Sequence, residues 1–164
     1  MKRYEYWDDF NFEKHKAQDW KREHKAGGFK CSHCRQFVVI NDIMGTANRN
    51  HCNLCLWSKH VDENKGDRRS NCNSGMEPLG LTFKHEGYNR IGEIMLIHLC
   101  STCQKISINR VARDDEENII LDVFNRSLCL RSDIKSMITA ADIYLLLETD
   151  KQELIRQIFG TLQM

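Results

Sequence analysis

Hydrophobic residues along the chain change their period several times, and each change marks a predicted element. Phe12 to His24 is charged and only weakly patterned, compatible with a surface helix that Gly27 and Gly28 end. Phe29 to Ile40 (FKCSHCRQFVVI) sets β-formers on both sides of a Cys-x-x-Cys turn and predicts strand, turn, strand. Ile94 to Ile108 (IMLIHLCSTCQKISI) repeats the arrangement. Between them, residues 48–81 are dense in Asn, Gly, Asp and Ser with no long periodic run, which predicts loop held by something other than an apolar core. Residues 119–130 mix strand and helix patterns, and 132–164 have helical spacing for two or three helices, with Ser132 or Thr139 and Thr149 as caps and Asp150 and Glu153 in early turns.

These elements predict a small α+β protein: zinc-ribbon-like β-hairpins with a second zinc-knuckle loop, plus helical N- and C-terminal extensions. The predicted division is 1–28 as a charged, partly helical extension, 29–117 as a two-metal domain, and 118–164 as a mainly helical extension. The 164 residues, 41% hydrophobic and 29% charged, suit one module with additions, and a single proline argues against Pro-rich linkers. No apolar run is long enough to cross a membrane and no apolar signal core opens the chain, so cytoplasmic residence is expected. Residues 1–70 carry 14 Lys and Arg against 10 acids and 114–164 carry 5 against 10, an asymmetry too mild to decide a partner.

A reducing compartment keeps thiols free, so the paired Cys-x-x-Cys spacings among the eight cysteines read as metal sites rather than disulfides. Three pairs, Cys31 with Cys34, Cys52 with Cys55 and Cys100 with Cys103, each put two thiols on one tight turn at little loop-closure cost. A thioredoxin-like redox pair is not indicated, since no helix directly follows any of them. Six cysteines exceed one tetrahedral site, and His60 and Cys72 are best placed to complete a second, which predicts two Zn2+ ions per chain. Cys52, Cys55 and His60 space as the first three ligands of a knuckle, so one division joins them to Cys72 and leaves Cys31, Cys34, Cys100 and Cys103 as a four-cysteine ribbon. The other joins Cys31, Cys34, Cys52 and Cys55, leaving His60, Cys72, Cys100 and Cys103. His51, His85 and His98 are substitutes for His60 or Cys72; His98 shares a strand face with Cys100. Cys129 reads as a core residue.

The segments RNHCNLCLWSKHVD, GDR, Cys72, MEPLG, IHLCSTC and NRVARDDEE, with FKCSHC upstream, resemble the RNHCP domain family over roughly Phe29 to Glu117. Asn53 stands where that family has its proline, which loosens the turn without removing a ligand. The resemblance implies metal binding and a bacterial cytosol, but no mechanism.

For function, Arg49, Lys59, Arg68, Arg69, Arg110 and Arg113 are candidate phosphate contacts, with Trp57 or Tyr88 for base stacking, and point to RNA. Against this, Arg49 and Arg110 can instead serve loop carbonyls and the acids Asp62, Asp67, Asp114 or Asp115. A protein partner docking on the C-terminal helices through Ile143, Leu145 to Leu147, Leu154, Ile155, Ile158 and Phe159 is the alternative, with packing against the ribbon as its plain counterpart. Asn50 and His51 superficially suggest a nuclease, but eight ligands for two ions leave no open catalytic position, so no enzyme is expected.

Overall fold

A computed structural model describes residues 25–40, 48–87 and 90–160; the expected N-terminal helix and Tyr88 lie outside the described residues. Among the described residues there are two antiparallel sheets, with three α-helices at the C-terminal end. The small sheet is a hairpin of β1 (Gly28–Lys30) and β2 (Phe37–Val39), with Phe29 opposite Val38. The larger one runs in the order β3 (Ser58–Lys59), β4 (Gly75–His85), β5 (Ile91–Cys100) and β6 (Ile106–Arg110). Thus the last part of the expected loop, residues 75–81, belongs to a long strand, Gly75–His85. Its apolar run MEPLGL carries the central pairing with β5, and Pro78 sits beside a bulge between Pro78 and Gly80.

Residues 94–100 of β5 are all buried, because the sheet is covered on both faces. Alternation sends Ile94 and Leu96 into one cluster with Leu81, Ile120, Val123, Phe124, Leu146 and Leu154, and Ile97 and Leu99 into another with Leu79 and Ile138. The bulge explains why Leu79 and Leu81, two residues apart, serve opposite clusters. The helices α1 (Glu117–Leu128), α2 (Ser132–Ala140) and α3 (Lys151–Phe159) supply the covering side chains, so the C-terminal segment completes the core. Gly80 permits their close approach: a Cβ there would fall 2.5 Å from Leu145 and 3.0 Å from Ser127. Leu146 N–H also donates to Leu81 O on β4.

The expected caps differ. Arg131 precedes α2, Thr139 lies inside it and bonds back to Lys135 O, and Asp150 precedes α3. Cys129 is exposed just after α1, not in the core. Among the described residues no helix is long and apolar enough to cross a membrane.

Candidate metal centres

All three Cys-x-x-Cys turns adopt one backbone conformation. The residue after each pair is left-handed although none is glycine: Arg35 at φ 66°, Leu56 at 60° and Gln104 at 60°. Its N–H bonds to the carbonyl of the first cysteine, at 3.0, 2.9 and 3.2 Å respectively. Each first cysteine in turn donates its N–H five residues on, to Gln36 O, Trp57 O and Lys105 O. The turn is thereby closed twice and both thiols leave on one side. A left-handed residue with a side chain costs about 1–2 kcal/mol, so the conformation is imposed by the knuckle rather than chosen by these residues.

The ligand atoms form two groups: Cys31, Cys34, Cys52 and Cys55, and His60, Cys72, Cys100 and Cys103. Within each, all atoms lie within 4.8 Å of one another, so each group could hold one metal ion. Cys31 Sγ is 3.6 Å from Cys55 Sγ and Cys34 Sγ 3.5 Å from Cys52 Sγ. In the second group Cys72 Sγ is 3.6 Å from Cys100 Sγ, and Cys103 Sγ 3.3 Å from His60 Nδ1. These separations far exceed a disulfide's ~2.05 Å and approach the ~3.8 Å edge of a tetrahedron with ~2.3 Å metal–sulfur bonds.

This overturns the four-cysteine ribbon expected from the two matching hairpins. Pairing in the large sheet is the reason: Ser58 stands opposite Met76 and Met76 opposite Cys100. His60 N–H donates to Ser74 O, Asn73 N–H to His60 O and Ser101 N–H to Gly75 O. Those bonds carry His60 and Cys72 to the Cys100 knuckle. The β1–β2 hairpin pairs with no strand of that sheet and closes on the Cys52 knuckle instead, through Phe29, Val38 and Val61.

Burial differs between the groups. Cys31, Cys52 and Cys100 are buried, whereas Cys103 is exposed. Hydrogen bonding from Cys55 holds the Cys52 thiol down near 5, while the same contact and burial push Cys55 up. Burial works against ionisation of Cys72, but hydrogen bonds from Ser74, Cys100 and His60 together outweigh it and bring it to about 6; Cys103 is pushed up to about 11 by partial desolvation of its sulfur and by the Cys100 and Cys72 thiols beside it. Thiolate ligation would require the cysteines of each group to give up their protons on metal binding. His60 presents Nδ1 to Cys103, and its buried Nε2 has no hydrogen-bond partner.

The substitutes belong to neither group. His98 does share the Cys100 face, but its Nε2 lies 2.7 Å from Leu56 O and its Nδ1 3.0 Å from the Asn109 amide. Full burial lowers it to about 3, so it is neutral, donating to the left-handed residue of the second knuckle and accepting from β6. His85 is exposed.

A family model described as the RNHCP domain matches residues 26–121, more than half of the chain. The chain belongs to the RNHCP domain family. No curated protein and no solved structure matches it. Only the cysteine of the Arg-Asn-His-Cys run is a ligand candidate, and the geometry shows what the preceding three residues do in this RNHCP domain. Arg49 donates bidentately to Asp114 at 2.6 and 2.7 Å and reaches Asp115 at 2.9 Å. His51 Nε2 is 2.9 Å from Asp115, which also accepts the Ala112 N–H. Asn50 O accepts from Ser58 Oγ and the Lys59 N–H. Together with the bond from Glu116 N–H to Asn53 O, this clamps the second knuckle to the connection between β6 and α1. The Arg49 guanidinium holds Asp114 below the usual carboxylate range.

Arg49 is therefore withdrawn as a phosphate contact: its side chain is 1% exposed and committed to two carboxylates. Arg68 pairs with Asp62 and donates to Asn48 O, and Arg110 pairs with Glu93. Arg69 and Arg113 are exposed, and Lys59 is half-buried on β3. Trp57 is half-buried, with the His33 ring stacked on it at a centroid distance of 4.2 Å and an interplanar angle of 2°. His33 and the exposed Arg35 lie within and just after the first Cys-x-x-Cys. They were passed over because residues between ligands look like spacers, although a knuckle turn exposes them.

Proposed function

We propose that this RNHCP domain is a zinc-stabilised, non-enzymatic module that binds nucleic acid, RNA in the first place. The observation that carries the zinc reading is the pair of closed donor sets, four sulfurs in one and three sulfurs with an imidazole nitrogen in the other. Such sets suit Zn2+ among the common divalent ions, and four protein donors leave no position for an activated water. Free cysteines at this spacing also fit a reducing, cytoplasmic setting.

Support for nucleic acid comes from exposed cations on metal-braced turns. Arg35 follows the first knuckle. Arg69 stands in the loop between His60 and Cys72, its N–H held by Asp67, and Arg113 lies in the connection clamped to the second knuckle. Cations on pre-ordered loops meet phosphates without the entropy of ordering a flexible chain. Titration of labelled RNA at several salt concentrations tests this. Replacing Arg69 and Arg113 with Ala should lower affinity and reduce the log–log salt slope by about 0.7 per lost single-strand contact, with zinc content unchanged. Absence of binding by the unaltered protein overturns the nucleic-acid reading. It would favour a protein partner on the C-terminal helices, where Tyr144, Leu147 and Phe159 are about half exposed.

A further inference from the structure

We infer that His33 and Trp57 form a stacking platform for an unpaired base, which makes single-stranded nucleic acid the ligand class; this rests on the nucleic-acid reading above. The two rings are parallel to within 2° at 4.2 Å, and His33 is exposed. The platform is fixed from behind. Gly75 lies under Trp57, where a Cβ would come within 3.4 Å of the indole Cε3 and Cζ3 and 3.7 Å of Ser32 Oγ. Those are ordinary van der Waals distances, so the indole rests beside the start of β4, whose backbone supports it from one side.

Gly75 is also where the two metal centres meet. Its carbonyl accepts from both the Ser101 N–H and Oγ at 3.0 and 2.9 Å, and Thr102 Oγ1 donates to Ser74 Oγ at 2.8 Å. The first knuckle thus contributes Ser32 and His33, the third Ser101 and Thr102, and the chain after the second Trp57, all around one glycine. Arg35, also exposed, follows His33 by two residues, so one knuckle carries an aromatic face and a cation, the combination that holds a base by stacking and its backbone by charge. A duplex has its base faces already covered by neighbours and offers none to the platform.

Anisotropy titration of the full, zinc-loaded chain decides it, using a fluorescein-labelled oligouridylate of about ten residues, the scale of one single-strand site, against a duplex of equal length. The unaltered protein should prefer the single strand. His33→Leu still covers Trp57 but cannot stack, and should weaken binding by roughly 5- to 150-fold, the range for losing one stacked base. His33→Phe should restore the affinity. Both variants should keep two ions and the salt slope, unlike the Arg69 and Arg113 replacements. Equal affinity of the Leu and Phe variants, or a preference for duplex, overturns the platform while leaving nucleic-acid binding in place. Absence of binding by the unaltered protein to either probe overturns the underlying reading as well.

Discussion

Cys31, Cys34, Cys52 and Cys55 close between two knuckles whose strands are three and two residues long, whereas His60, Cys72, Cys100 and Cys103 gather at the end of a four-stranded sheet. Around the first group the buried cluster consists of Phe29, Val38, Val61 and little besides the ligands themselves. A two-stranded hairpin is marginal alone, so a metal bound there would substitute for a core. Around the second group, β4 and β5 are already held by two clusters that include Leu81, Leu96, Phe124 and Leu154 on one side and Ile97, Leu99 and Ile138 on the other. A metal bound there would tie down a loop on a sheet that already has its own apolar core. One ligand spacing therefore does two different physical jobs.

The largest effect should come from breaking the first group. Structural zinc contributes about 10–16 kcal/mol in small metal-dependent folds, so Cys52→Ala should release one of two ions and unfold β1 and β2. Elemental analysis and amide exchange would show one ion retained and protection kept in β4 and β5. Cys103→Ala should also release one ion but leave β1, β2 and the sheet protected. If it exposed Cys31 or Cys34 to thiol labelling, the division of ligands would be wrong.

Next in size is the clamp joining the second knuckle to the sheet. Arg49→Met leaves Asp115, whose side chain is wholly buried, without its guanidinium, and breaking such a pair costs about 3–5 kcal/mol. Chemical denaturation measures this, and pairing the change with Asp115→Asn should recover part of the loss. A cost near zero would mean that the knuckle is held by metal alone.

His98 gives a smaller, pH-dependent test of the same linkage. Its folded value of about 3 lies below the ordinary 6.5, so between these the unfolded chain binds a proton that the fold does not. Its contribution is complete above about pH 6.5 and falls as pH drops towards 3. Comparing urea midpoints of the unaltered protein and His98→Gln from pH 7.5 downward should show a shallower decline in the variant; parallel curves would count against a buried neutral His98. The smallest effect belongs to the third knuckle. Gln104→Gly removes a left-handed penalty of about 1–2 kcal/mol but gives back about 0.5–1 in unfolded-chain entropy and deletes the bonds from Gln104 Nε2 to Cys100 O and Ser101 O. The melting temperature should therefore move little, and a large fall would mean that the side-chain bonds rather than the backbone shape the turn.

The three knuckle turns were legible because Cys-x-x-Cys is a local device: both thiols, the reversing backbone and their geometry lie within six residues. The β5–β6 hairpin and most of the helical tail were legible for the same reason. Gly75–His85 was not. A proline and two glycines in MEPLGL read as loop, and only pairing with β5, with a bulge to accommodate Pro78, makes it a strand. For Arg49 a phosphate and the acids Asp114 or Asp115 were both open, because a sequence shows the charges but not that residues 65 and 66 positions apart meet.

By itself, then, the sequence determined the ligand chemistry, the count of two groups and the α+β character, all of which follow from short-range spacing and composition. Tertiary structure alone decided which knuckles share a metal group, since the three pairs are interchangeable as local motifs. The β3–β4–β5 pairing chose by carrying His60 and Cys72 to Cys100. Hydrogen-bonded strands bring together residues whose separation along the chain holds no information about their distance in space.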